Sequence, residues 1–154
     1  GGDDPLFGVH WPPERVTEVQ RKGQAMVVRE FVNGILDADP EALVIVAGDL
    51  NDFQFGEPGE GADHPLAILA GGPGEVPLTN LVQLEKDAER FTYLFDGNSQ
   101  VLDHLLVSPA LLESLVGTDI LHFNAAYPAE LAYDGTTPVR SSDHDPVEGR
   151  FKIK

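Results

Sequence analysis

Cysteine is absent from this 154-residue chain, which excludes a disulfide framework and thiolate chemistry and leaves the compartment open. Cationic residues are scarce: 10 Lys and Arg stand against 26 Asp and Glu, a formal net charge of −16. A surface of that sign repels a polyanion over long range, so it excludes an electrostatic trap for nucleic acid; any nucleic-acid site has to be local and metal-assisted. The same acidity suits solubility in a salty or extracellular medium. No apolar stretch approaches the length of a membrane span, and Gly1-Gly2-Asp3-Asp4 has neither the basic nor the apolar region of a secretory signal. Several catalytic signatures are also missing. There is no Gly-x-Ser-x-Gly elbow, no phosphate loop ending in Gly-Lys-Ser/Thr and no helical zinc spacing. Asp49-Leu50-Asn51-Asp52-Phe53 opens like a calcium loop, but Phe53 stands where an acid or amide is needed and Gln54 where glycine is needed.

What remains is enough apolar material, 42% of residues, for the core of one domain spanning 1–154. No internal repeat or linker divides it. Val16, Val19, Gly23, Met26, Val27, Phe31 and Ile35 recur at steps of three and four, which predicts an amphipathic helix over about 14–37 with that stripe inward. Leu43 to Ala47 is a short continuous apolar run and reads as a strand buried on both faces. Residues 54–63 read as a surface loop, and Asp63 as the cap of a short helix through Leu69. Further strands are expected near 78–82, 91–95, 101–107, 119–124 and 147–153, with 91–95 and 101–107 joined as a hairpin through Asp96-Gly97-Asn98-Ser99. A helix over 109–116 follows Ser108-Pro109 and closes at Gly117, and 125–141 reads as a long irregular loop. The pattern predicts one mixed sheet of roughly five or six strands.

The apolar run delivers Gly48-Asp49-Leu50-Asn51 at its end. Asp49 and Asn51 lie two apart, so in a strand both side chains project to one face. Hydrolysis of a phosphodiester needs a fixed acceptor for the attacking water and a donor for charge developing on phosphorus, and a carboxylate beside an amide supplies both. A simple turn is the alternative, because Asp and Asn are common at strand ends. Near the C-terminus, Ser141-Ser142-Asp143-His144-Asp145-Pro146 sets a histidine between two aspartates. Such a histidine exchanges protons near neutral pH when a carboxylate fixes its tautomer. Asp103 is the candidate partner: it interrupts an apolar row in 101–107, and carboxylates are rarely placed there unpaired. A solvent-facing Asp103 and an exposed loop His144 are the alternatives. Tyr93 and Arg140 are candidate contacts to a base or phosphate, with a core tyrosine and a surface salt-bridge arginine equally open. His10-Trp11 suggests an exposed aromatic lip, His64 a helix start, and His104 and His122 core or interface histidines.

On Gly48-Asp49-Leu50-Asn51-Asp52-Phe53, Leu102-Asp103-His104 and Ser142-Asp143-His144-Asp145-Pro146, the chain resembles the endonuclease/exonuclease/phosphatase superfamily. Glu18-Val19-Gln20-Arg21, Phe91 to Gln100 and Arg140 extend the likeness to its bacterial extracellular nuclease-like branch, over nearly the whole chain. The resemblance implies an α/β fold, the C-terminal half of a four-layer α/β/β/α sandwich, with a mixed sheet carrying helices on one face. It implies a divalent cation, commonly Mg2+ with Mn2+ or Ca2+ as other choices, and a secreted, extracellular or cell-surface nuclease acting on nucleic acid. Residue by residue, Asp49 matches the aspartate that orients the nucleophilic water and Asn51 its phosphate-binding neighbour. Asp143 matches the metal-side aspartate, His144 the catalytic histidine and Asp103 its orienting carboxylate. The family's first-half metal glutamate, asparagine and Asn-His strand have no counterpart, so weak activity or none alone, and self-association or packing with such a half, are expected. Departures fall in Gly56 to Gly61 and Gly71 to Val76. A phosphomonoesterase or lipid phosphodiesterase shares the same motifs, and a non-catalytic binding or assembly module is the reading from a different class.

Overall fold

A computed structural model describes residues 3–4, 8–10, 12–55, 61 and 63–153. The long helix α1 spans Glu18–Ala38, four residues inside the expected start. Residues ahead of it are held in turns by acids: Asp3 accepts from the Thr17 amide at 2.7 Å and hydroxyl at 2.9 Å, and Asp4 accepts from the Glu14 amide at 3.0 Å. Asp3 thereby places negative charge against the positive end of the helix dipole. The inward stripe corrects the sequence reading. Ala25, Arg29, Val32 and Leu36 are buried, while Val19, Met26, Val27 and Phe31 face solvent, with Val19 82% and Phe31 71% exposed.

Arg29 explains the reversal. Its guanidinium donates to the carbonyls of Leu69 (3.2 Å) and Val76 (2.6 Å) and pairs with Glu75 at 3.4 Å, so a residue that scores as polar anchors the buried face. Gly71, with φ of +100°, lets the 71–76 turn wrap that guanidinium; a Cβ there would lie 2.9 Å from it. The neighbouring helix α2 spans Pro65–Ala70, and its N-cap position is His64 rather than Asp63, which instead accepts from Lys22 at 3.2 Å.

In place of one mixed sheet, the described strands form three small antiparallel sheets. The first has the order β1 (Ile45–Asp49), β5 (Asp103–Val107), β2 (Thr79–Asn80). Among the described residues β1 pairs only with β5, and nothing covers the side of the strand that carries Ile45, which is 49% exposed, so the strand is not buried on both faces as expected. One face of this sheet, through Val46 and Leu106, packs on α1 and α2. The other, through Leu105 and Val107, packs on Leu81, Leu111, Leu115 and Phe151. The second sheet is the hairpin β3 (Tyr93–Phe95) and β4 (Asn98–Gln100), closed by Asp96 and Gly97 with φ of +47° and +78°. Two positive φ values are the mark of the tight turn that matches strand twist. The return strand is β4 and not 101–107. The helix after Ser108 is one turn, α3 (Pro109–Leu112), because β6 (Leu115–Ile120) starts early to pair with β7 (Val147–Phe151). Gly117 belongs to β6, at a bulge where the Arg150 guanidinium fills the space of a side chain. Among the described residues, no helix is long and apolar enough to cross a membrane.

Candidate active site

Asp49 closes β1 opposite Asp103, the first residue of β5. Directly paired residues of an antiparallel ladder project to the same face, so the register alone brings the two carboxylates together. Beyond Asp49 the chain leaves the strand. Asn51 adopts φ of +50°, a left-handed conformation that asparagine tolerates, and its amide N–H donates to Asp49 Oδ1 at 2.9 Å while its side-chain Nδ2 lies 3.4 Å from Oδ2. The turn and the site are thus one object: the turn is what folds the Asn51 amide back onto Asp49.

Asp52 anchors that turn. It is 1% exposed, its carboxylate accepts from Arg15 at 3.1 Å, and its carbonyl accepts from His104 Nε2 at 2.8 Å. Burial pushes the Asp52 carboxyl up, against the opposing charges of Arg21 and Arg15. His104, 1% exposed, accepts from Asn80 Nδ2 at 2.9 Å, and burial holds its imidazole below the ordinary value. It is a core histidine with both nitrogens used.

The histidine of the C-terminal motif reaches the same place from the approach to β7. His144 Nδ1 donates to Asp103 Oδ2 at 2.7 Å, with both side chains about one-fifth exposed. Tyr93 forms a bridge with His144 and stacks on its ring, centroids 4.5 Å apart. Asp49, Asp103 and His144 each bring a donor atom within 4.8 Å of the others. Beside them a cavity of about 640 Å³ is lined by Asp49, Asn51, Phe53, Tyr93, Phe95 and Gln100 among others.

The structure therefore unites Asp49, Asn51, Asp103, His144 and Tyr93. Asp143 is exposed and lies outside the three-residue cluster. Arg140 is neither a salt-bridge arginine among the described contacts nor part of the cavity lining; its guanidinium donates to the carbonyls of Asn124 (3.0 Å) and Ala125 (3.1 Å). His10 contacts Asp4 at 3.0 Å; its expected companion Trp11, and residues 56–60 and 62 of the expected loop, lie outside the described residues. The sequence reading missed Thr92, which accepts from the Asp103 amide, and the pair Asp145–His122; the only signal was the second aspartate flanking His144. A scan of protein-family models, a search of curated proteins and a search of solved structures each return no match for this chain, so its functional reading rests on the geometry of its own residues.

Proposed function

We propose that this chain is a metal-dependent phosphodiesterase acting on nucleic acid, and that its fold is a portion of the four-layer sandwich of the superfamily it resembles. The observation that carries the reading is the Asp103–His144 pair at 2.7 Å, set within 4.8 Å of the Asp49 carboxylate. With Nδ1–H committed to Asp103, the His144 lone pair resides on Nε2, free to take or return a proton. In hydrolysis a water oxygen bonds to phosphorus, the phosphorus–ester oxygen bond breaks, the water yields one proton and the leaving oxygen gains one. Asp49 or His144 takes the proton from the water, and His144, once protonated on Nε2, returns one to the leaving oxygen. Asn51, fixed by its turn with its amide and one side-chain N–H turned to Asp49, keeps its second side-chain N–H for a phosphoryl oxygen.

The donors suit a hard divalent cation: two carboxylates and an imidazole converge, and paired anions at such spacing favour a cation between them. Asp49 would hold it by geometry and Asp143 is the ligand that the resemblance implies, while Asp103 is committed to His144. When bound, it supplies Lewis-acid stabilisation of charge on the phosphoryl group.

The test is hydrolysis of bis(p-nitrophenyl) phosphate and of single-stranded DNA by the full chain, with Mg2+ and with a chelator. His144→Ala is expected to lose about 10²- to 10⁴-fold in rate with its circular dichroism unchanged. Near-wild-type rates in His144→Ala would remove the proposed role, and a wild-type chain that is inert toward every phosphodiester and shows no affinity for Mg2+ would remove the function. Parallel trials with p-nitrophenyl phosphate separate diesterase from monoesterase.

A further inference from the structure

His144 is carried by an irregular segment in which residues 141–143 are exposed, and such a segment does not by itself hold a ring to the tolerance that proton transfer requires. The next residue does. Asp145 is 1% exposed, and its Oδ1 accepts from the amides of Asn124 (2.8 Å) and Ala125 (2.9 Å) while its Oδ2 accepts from His122 Nδ1 (2.9 Å). Its own amide donates to the Thr92 carbonyl at 2.7 Å. Asn124 Nδ2 adds a bond to the His144 carbonyl at 2.8 Å. Thr92, fully buried, also reaches the other partner: its Oγ1 accepts from the Leu102 amide at 3.1 Å and the Asp103 amide at 3.2 Å. Both members of the Asp103–His144 pair are therefore hung from one buried network. His122 is its outer clasp, stacked on Phe91 with centroids 4.0 Å apart and with Nε2 3.1 Å from the Glu89 carbonyl.

We infer that His122 is a positioning residue: through Asp145 it sets the direction of the His144 ring, and it touches neither substrate nor cation. A buried carboxylate needs all its donors. Removing the His122 donor leaves Asp145 Oδ2 without its bond, the 144–146 segment shifts, and the Nδ1–H···Asp103 bond loosens. The kinetic consequence rests on the phosphodiesterase reading; the structural consequence does not.

Two isosteres separate this from a general packing role. Asparagine places its amide where Nδ1 sits and keeps the bond to Asp145, whereas glutamine reaches where Nε2 sits and keeps only the Glu89 side. The first readout, taken without substrate, is the NMR signal of the His144 Nδ1 proton, sheltered from exchange by Asp103. It is expected to persist in the wild type and His122→Asn and to broaden or vanish in His122→Gln and His122→Phe. The second is kinetic: His122→Gln and His122→Phe lose about 10- to 100-fold in kcat with KM unchanged, and His122→Asn returns toward wild type. If the phenylalanine variant does not fold, the Asn and Gln pair decides alone. Equal signals and equal kcat in His122→Asn and His122→Gln would overturn the inference, as would a loss of kcat with the His144 signal intact. A chain without phosphodiesterase activity removes the kinetic arm, one that also lacks Mg2+ affinity removes the functional reading, and in either case the NMR arm still passes or fails by itself.

Discussion

Replacing Asp103 by asparagine changes one charge and almost no volume, and the structure fixes what else it can change. The Asp103 amide stays bonded to Thr92 Oγ1 at 3.2 Å, and the residue keeps its place opposite Asp49 in the ladder, so the asparagine side chain starts where the carboxylate was. What is lost is the charge-assisted bond from His144 Nδ1 at 2.7 Å, in a site where both partners are largely shielded from solvent. A hydrogen bond to a charged group contributes about 1.5–3 kcal/mol. At about 1.36 kcal/mol per decade, that predicts a fall in kcat of about 10- to 150-fold. If the amide turns its NH2 toward Nδ1, the ring must carry its proton on Nε2, and the loss moves to the upper end. Asp103→Asn should therefore be milder than His144→Ala, with KM little changed, measured on bis(p-nitrophenyl) phosphate at fixed Mg2+. Two outcomes refute the reasoning. An unchanged kcat means that the pair does not orient the base. A loss as deep as that of His144→Ala means that Asp103 does more than orient it.

Two further predictions concern stability. Gly71→Ala forces a side chain into a φ of +100° and sets a Cβ 2.9 Å from the Arg29 guanidinium, so urea denaturation should report a destabilisation of about 1–3 kcal/mol. Glu75 accepts from the Gly72 amide at 2.6 Å and lies beside Asn33 and Arg29, contacts that hold its carboxyl below the ordinary value of 4.5. The unfolded chain then binds the proton more readily, so this contribution is fully present above pH 4.5 and is lost as pH falls through the folded value. Glu75→Gln should be less stable at pH 7 and should show a flatter stability curve below pH 4.5, and an unchanged acid limb would contradict the assignment.

The site was legible where its residues carry chemistry that a packed core has no other use for. Asp103 stood out because an acid interrupted an apolar row, and His144 because it lay between two aspartates; the structure places them in contact. Asn51 was legible for a reason different from the one that holds. Alternation along a strand suggested it, but a left-handed turn delivers it. The outward stripe of α1 was misread because periodicity counts apolar residues and cannot foresee that Arg29 finds two carbonyls and a carboxylate inside. Likewise, nothing in the sequence separates Asp145, buried with three donors, from Asp143, exposed two positions earlier. That difference is set by which amides happen to face each carboxylate, and the amides belong to residues about twenty positions away.

The three separate sheets have a consequence for how long the site exists at a stretch. Asp49 and Asp103 belong to the first sheet, Tyr93 to the hairpin, and His144 to the approach to β7, so the candidate site lies across the seams between the sheets and within none of them. A hairpin with three residues per strand has little independent stability. Native-state hydrogen exchange would therefore find the amides of 93–100 opening at a lower free energy than those of β5. Each such opening removes the Tyr93 ring from His144 while the helical core stays closed. The lifetime of the assembled site is then set by its weakest neighbour, and the melting of the whole domain overstates it.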